Sequence, residues 1–388
     1  MRFSRRIPAE LDPSPLQAEL ARFADLVDLT ASNPTRCGLT PDPEALQAIF
    51  SAVDATGYEP GPLGLVTARR AVIEHVAPEG LDVDRVVMTA STSEAYTLLL
   101  KLFCDPGDIV AVPEPSYPLV EVLANLEGVR LERYRLEYNG AWRIDLLSVR
   151  AALDAGAKLL VTVSPNNPTG SVPSAGEADA LRRLCVEHNV PMIADEVFAP
   201  YGWHEETLPT LGADGGPLTV VLDGLSKRAG LPQLKLGWML LYGTASDVRD
   251  VCDRLAWIAD AQLSVATPVQ LALPRLLELG SSVRQRILDR VRVNQRALES
   301  VVAELPPVDL LAADGGWSAV LRLPRTAPDD DVAIYLARSA RVRVQPGYLY
   351  DFEADGYVVI SLLPPDDQFA DAIARLGASL ALRFRDGV

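Results

Sequence analysis

Cysteine and histidine are scarce in this chain of 388 residues, and the few present are scattered. Cys37, Cys104, Cys185 and Cys252 lie far apart with no paired spacing, which argues against a disulfide framework or a zinc site and fits reduced thiols. His75, His188 and His204 are equally separated, so no metal is expected. Positive charge is also short. With 36 Lys and Arg against 52 Asp and Glu, the net charge of −16 argues against nucleic acid or an anionic membrane surface as a partner. No apolar run of about 20 residues occurs, so no membrane-spanning helix is expected. The opening "MRFSRRIPAELDPSP" is briefly basic but lacks a signal-peptide core, and the chain reads as cytoplasmic.

Apolar residues, by contrast, are plentiful. At 48% hydrophobic, the chain is long enough for a sizeable core, in two domains or one large domain with a smaller lobe. Between about residues 66 and 245, short apolar runs alternate with helical patterns. "RVVMTA" (85–90), "DIVAVP" (108–113), "KLLVTVSP" (158–165), "PMIADEVF" (191–198) and "LTVVLDGLS" (218–226) read as buried strands; "SEAYTLLLKLF" and "SAGEADALRRLCVEH" read as helices between them. Continuous apolar strands separated by helices imply an α/β fold with a mainly parallel sheet covered on both faces. "SSVRQRILDRVRVNQRALESVVAEL", past residue 280, reads as one long amphipathic helix, followed by short strands and a final helix. A large domain is therefore expected over 45–285, with 1–44 and 286–388 together forming a smaller α+β lobe.

In such a sheet ligands gather at the carboxyl ends of the strands, so the residues after each run carry the functional argument. Ser91, Thr92 and Ser93 open a helix, as an ordinary N-cap or as a seat for an anion at the positive helix end. Tyr117 sits in a proline-bounded loop, as a packed aromatic or a stacking platform. "SPNNPTG" is a turn presenting Asn166 and Asn167. Asp195 and Glu196 place carboxylates on a buried strand, where each needs a partner. The fifth run delivers Lys227, inside a segment apolar enough to desolvate an amine and lower its pKa.

The ordered motifs "SPNNPTG", "DEVF" and "GLSKRAGLPQLKLGW", with "YEPGPLG" earlier and "GGW" at 315–317, resemble the class I/II aminotransferases, pyridoxal-phosphate enzymes of fold type I, over nearly the whole chain. The resemblance implies an aminotransferase that moves an amino group from an amino acid or amine donor to a 2-oxo acid by a ping-pong cycle, with pyridoxal 5'-phosphate as cofactor. Lys227 would hold the cofactor as a Schiff base and carry the proton. Asp195 would pair with the pyridine nitrogen, Asn167 with the phenolic oxygen, and Tyr117 would stack on the ring. Ser91, Thr92, Ser93 and Lys235 would hold the phosphate, and Tyr58 would reach the phosphate of a neighbouring subunit, which implies a homodimer.

Three positions depart from the family pattern. Lys235 stands where arginine is usual, a point charge in place of a planar fork. Phe198 stands where tyrosine is common, unless Tyr201 substitutes for it. Val359, in "DGYVVISLL", stands where the family's carboxylate-binding arginine aligns. Ser32, Asn33 and Arg36 in "SNPTRCGL", with Arg343 in "VRVQPGY", are therefore the candidates for holding substrate. The same residues also permit a pyridoxal-phosphate lyase or racemase acting through a Cα carbanion. A cofactor-binding regulatory module is disfavoured, because regulators of this fold carry a DNA-binding domain ahead of it and only some 30 to 40 proline-rich residues precede this core. A nicotinamide dehydrogenase is disfavoured because Gly57, Gly61 and Gly64 lack dinucleotide-binding spacing.

Overall fold

Successive residues of the central strands feed two opposite cores, as a sheet covered on both faces requires. The computed structural model describes residues 3–8, 11–77, 80–204, 208–213, 215–263 and 265–385. Its largest sheet has eight strands in the order Val86–Thr89, Gly237–Tyr242, Thr219–Gly224, Met192–Asp195, Ala157–Val163, Ile109–Glu114, Arg130–Tyr138 and Trp142–Ile144. From Thr219–Gly224 across to Arg130–Tyr138 the neighbours run parallel. Gly237–Tyr242 opposes both its neighbours, and Trp142–Ile144 closes the edge as an antiparallel hairpin strand.

All five apolar runs form strands of this sheet. On Met192–Asp195, Met192 and Ala194 enter one core and Ile193 the other; Val221 and its neighbours Val220 and Leu222 divide in the same way. Every residue of these two strands is buried, which is why they carry no polar alternation. Near the edge, "RLERYRLEY" alternates and buries only Tyr134. Helix Thr92–Phe103 covers one face through Ala95, Leu98 and Leu99. Helix Ala175–His188, opened by a Ser174–Glu177 capping box, covers the other through Leu181 and Leu184.

A second sheet of four strands, in the order Asp309–Leu310, Ser318–Arg322, Tyr357–Ser361 and Gln345–Pro346, is antiparallel throughout. The N-terminal segment joins this half: Val27–Asp28 pairs with Val342–Arg343, and Leu16, Leu20 and Leu29 share a core with Leu336, Val342 and Phe369. The long helix begins earlier than its sequence pattern suggests, running from Thr267 to Val302 through an interior Pro274. Pro274 costs the helix a backbone donor, but Leu273, Leu276 and Leu277 beside it are buried against the large sheet, and that burial overrides the proline. Farther along, Val283, Ile287 and Val291 belong to the core of the other half. Between these stretches lies Gly280, where a Cβ would come within 2.3 Å of the Ala229 Cβ. The helix therefore packs directly on the segment that follows Lys227.

Candidate functional site

The carboxyl ends of the large sheet open into a cavity of about 400 Å³, within the usual range for a small-molecule site. Asp195, Asn167, Tyr117 and Lys227 all line it, together with Lys235 and the Ser91–Ser93 cluster. They converge because the parallel strands end on one side and each carries its functional residue just beyond its end.

Lys227 lies on the short helix Leu225–Arg228, one turn after strand Thr219–Gly224. Its backbone is anchored by Tyr201, whose Oη donates to the Lys227 carbonyl at 2.6 Å. Its Nζ stands 5.7 Å from the Phe198 ring centroid and 5.2 Å from that of Trp317. Burial lowers the amine's pKa; Asp195 opposes the shift, and Lys235 reinforces it. The amine is thereby moved towards its neutral, nucleophilic and basic form. Tyr201 does not line the cavity and its hydroxyl is engaged, so it does not replace the hydroxyl missing at Phe198.

Asp195 ends its strand with Oδ2 accepting from Tyr96 Oη at 3.0 Å and Oδ1 accepting from Val197 N at 3.3 Å. Burial pushes its pKa up to about 6; the two hydrogen bonds pull it down, and Asp223 raises it further. The Lys227 charge lowers it as well, but by less than burial raises it. Glu196, beside it, belongs elsewhere. It accepts from Leu211 N and Thr210 Oγ1, is pushed by burial to about 7, and faces a separate void with Asp223, Arg228 and Arg284.

Ser91 caps helix Thr92–Phe103, its Oγ accepting from Glu94 N at 3.1 Å. Thr92 and Ser93 follow in the first turn, where backbone N–H groups have no partner within the helix. Those donors and the positive helix end face the cavity beside Lys235, an arrangement suited to a phosphate. The two asparagines divide their roles. Asn166 is buried and spent on the turn, with Nδ2 donating to Pro115 O and Thr169 Oγ1 and Oδ1 accepting from Ser116. Asn167 lines the cavity, its Oδ1 in a long 3.5 Å contact with Ser318 Oγ.

That contact exists because the "SPNNPTG" turn interlocks with "GGW". A Cβ on Gly170, whose φ is +65°, would meet Gly315 O at 2.4 Å, while Asp314 N and Gly315 N both donate to Gly170 O. The close approach carries Trp317 and Ser318 into the cavity wall.

The buried carboxylate, only partly compensated by Lys227, suits a further cation, the buried amine can react with a carbonyl, the helix end suits a phosphate and half-exposed Tyr117 offers a ring face. Pyridoxal 5'-phosphate supplies a counterpart for each, so these residues fit it.

Other expected residues lie apart. Of the substrate candidates only Ser32 lines the cavity; Asn33 caps a short turn, accepting from Thr35, and neither Arg36 nor Arg343 reaches the lining. Tyr58 is 72% exposed and lines a separate shallow groove with Leu263. Val359 is 1% exposed and faces an apolar cluster with Trp142, Val320 and Tyr350 rather than the cavity. Tyr96, Trp317, Ser318, Gln345 and Tyr350 also line the cavity, and nothing in the sequence reading singled them out for it. For Tyr96 a signal was present: a tyrosine on the apolar face of the helix that opens at the anion seat must find a partner for its hydroxyl.

The family model described as aminotransferase class I and II matches residues 24–376. Human tyrosine aminotransferase is 31% identical over 371 residues, covering 90% of this chain and 80% of that protein. The glutamate-pyruvate aminotransferase of Haemophilus influenzae is 25% identical over 384 residues, covering 95% and 94%. Among solved structures, a single mutant of Thermus thermophilus aspartate aminotransferase superposes with a TM-score of 0.84 at 25% identity, covering 98% of this chain and 100% of that one. Tyrosine aminotransferase from Leishmania infantum shares the fold, with a TM-score of 0.85 at 21% identity, covering 100% and 98%.

Proposed function

The chain belongs to the class I and II aminotransferases, pyridoxal-phosphate enzymes that move amino groups between amino acids and 2-oxo acids, and within that activity we propose the following roles for its residues. Lys227 would hold the cofactor through Nζ, and its amine would take the proton from the substrate's α carbon. The desolvated amine suits both tasks, since it is most effective as nucleophile and base when neutral. When bound, the cofactor supplies a conjugated ring that takes up the electron pair left by that proton.

Asp195 would hold the ring nitrogen in its protonated form, its own charge being only partly compensated by Lys227. Tyr96 and Val197 fix the carboxylate for this purpose. Ser91, Thr92, Ser93 and Lys235 hold the phosphate, Asn167 donates to the phenolic oxygen, and Tyr117 covers one ring face. The observation that carries the reading is Lys227 Nζ and Asp195 in one cavity with a helix N-terminus.

We further propose a homodimer, in which exposed Tyr58 reaches the other copy's phosphate and the nearby exposed Leu263 is covered. The proposed division into a large domain over 45–285 and a small one from 1–44 and 286–388 rests on the long helix changing core partners between Leu277 and Val283. Among the described residues no helix is long and apolar enough to cross a membrane. Four free thiols are in keeping with a cytoplasmic location, and net charge −16 with the absence of nucleic-acid and membrane partners.

The test is a single-turnover measurement. An amino donor added without acceptor should yield about one oxo product per active site from the parent enzyme. Lys227→Ala should lower the rate by at least roughly 10³-fold, the upper range for a proton-transferring side chain. Turnover retained in that variant would remove Lys227 from the mechanism.

A further inference from the structure

The only cationic side chains lining the cavity, among the described residues, are Lys227 and Lys235. Both stand at its cofactor end, and both are used there in the roles proposed above. The remaining wall is neutral, with Phe198 and Trp317 beside Lys227 and Ser318, Gln345, Tyr350 and Ser361 contributed by the four-stranded sheet and the turn beside it.

Most hydroxyls of this wall already have acceptors. Ser361 Oγ donates to Ala31 O, Thr30 Oγ1 to Asp28, and Tyr350 Oη to Gln345 Oε1. Gln345 differs from them. Tyr350 occupies its amide oxygen and so fixes the amide's orientation, while Nε2 donates to no group among the described residues. Its place is set by the sheet: Gln345 pairs with Val359, whose side chain fills the apolar cluster behind Tyr350, so no longer side chain enters from that strand position. Trp317 Nε1 also lacks a partner among the described residues but is buried, so Gln345 offers the accessible, oriented neutral donor, and such a donor binds a polar group by hydrogen bonding rather than by charge.

Resting on the aminotransferase reading, we propose that Gln345 is the specificity-determining residue of the substrate half. Its Nε2 donates to an oxygen on the carbon next to the amine-bearing carbon, so the enzyme accepts amino acids and also their uncharged carboxamides as amino donors. The exchange balances with the established activity. The donor's C–NH2 carbon loses two electrons and becomes a carbonyl, while the 2-oxo acid's carbonyl carbon gains two and takes the amine. A neutral donor distinguishes a carboxylate from a carboxamide oxygen by about 1 kcal/mol, whereas a guanidinium fork reads the carboxylate's charge directly.

The experiment measures kcat/KM on the holoenzyme for L-alanine, L-tyrosine and L-glutamate and for L-alaninamide, L-tyrosinamide and the α-carboxamide of L-glutamate, with bound-cofactor absorbance reporting folding. For the best donor, acid and carboxamide should agree within about tenfold. Gln345→Leu should lower both about tenfold, mainly through KM. Gln345→Glu, nearly the same shape without the donor, should lower the acid at least tenfold more than the carboxamide, and Gln345→Arg should shift the ratio towards the acid by at least tenfold. An acid preference above a hundredfold in the parent, Gln345→Leu that lowers neither donor, or Gln345→Glu and Gln345→Arg that both leave the ratio unchanged, would overturn the proposal. Failure of the parent to convert any amino acid would instead overturn the aminotransferase reading.

Discussion

The eight-stranded and four-stranded sheets line one cavity with opposite chemistry. The parallel sheet contributes Asp195 at a strand's end and Lys227 just past another, and the helix after Val86–Thr89 adds an unsatisfied N-terminus. The antiparallel sheet contributes Ser318, Gln345 and Ser361, none of which carries charge. Parallel strands end together on one side, so charged groups held just past their ends meet over a short distance and shift one another's pKa values. The antiparallel strands instead present individual residues from one face. Charge chemistry thus concentrates on one wall and discrimination falls to the other.

The sharpest break in this contrast is Asp195→Asn, which keeps the shape and the Tyr96 contact but removes the negative charge. Activity should fall by roughly 10²-fold or more, measured as kcat with saturating cofactor. The same variant tests the titration. Because burial raises Asp195 from 3.8 to about 6, the group favours the cofactor-free fold below pH 3.8 and that contribution is lost as pH rises through 6. Melting curves of the cofactor-free chain should lose stability across this window in the parent and lose less in Asp195→Asn. Stabilisation by added cofactor should grow over the same range, since the positive ring nitrogen then faces a carboxylate.

A smaller effect is expected from Lys235→Ala, which should weaken cofactor retention about tenfold and flatten its dependence on salt, with Lys235→Arg restoring both. Tyr96→Phe removes one hydrogen bond of about 1 kcal/mol from Asp195 and should cost roughly fivefold in kcat. Its acid limb should move to higher pH, since the lost bond was holding the carboxyl down. On the neutral wall, Val359→Ala should cost about 2 kcal/mol of stability by thermal or denaturant unfolding while leaving kcat within about twofold. A large loss of activity there with unchanged stability would erase the distinction between the two walls.

Much of the charged wall was legible in the chain. Asp195 lies within the fourth apolar run, and Ser91, Tyr117, Asn167 and Lys227 follow the other four by one to four residues, because parallel strands carry their chain ends to one side of the sheet. The roles of the two asparagines could not be separated in sequence, since the partners that consume Asn166 come from the neighbouring loop at Pro115 and Ser116. The neutral wall was missed. Gln345 looked like one polar residue in a short strand, and Arg36 and Arg343, the cations expected to hold substrate, do not line the cavity.

Order and periodicity along the chain therefore determined the sheet, the strand ends and the position of Lys227 beside them, because these depend on local burial and on the direction parallel strands share. The tertiary structure alone decided that Val359 is sealed in an apolar cluster, that Tyr201 is spent on the Lys227 backbone and that the Gln345 amide nitrogen has no acceptor among the described residues. Each of those outcomes depends on which distant group occupies the other end of a hydrogen bond or the adjacent packing space, and no spacing in the sequence encodes that.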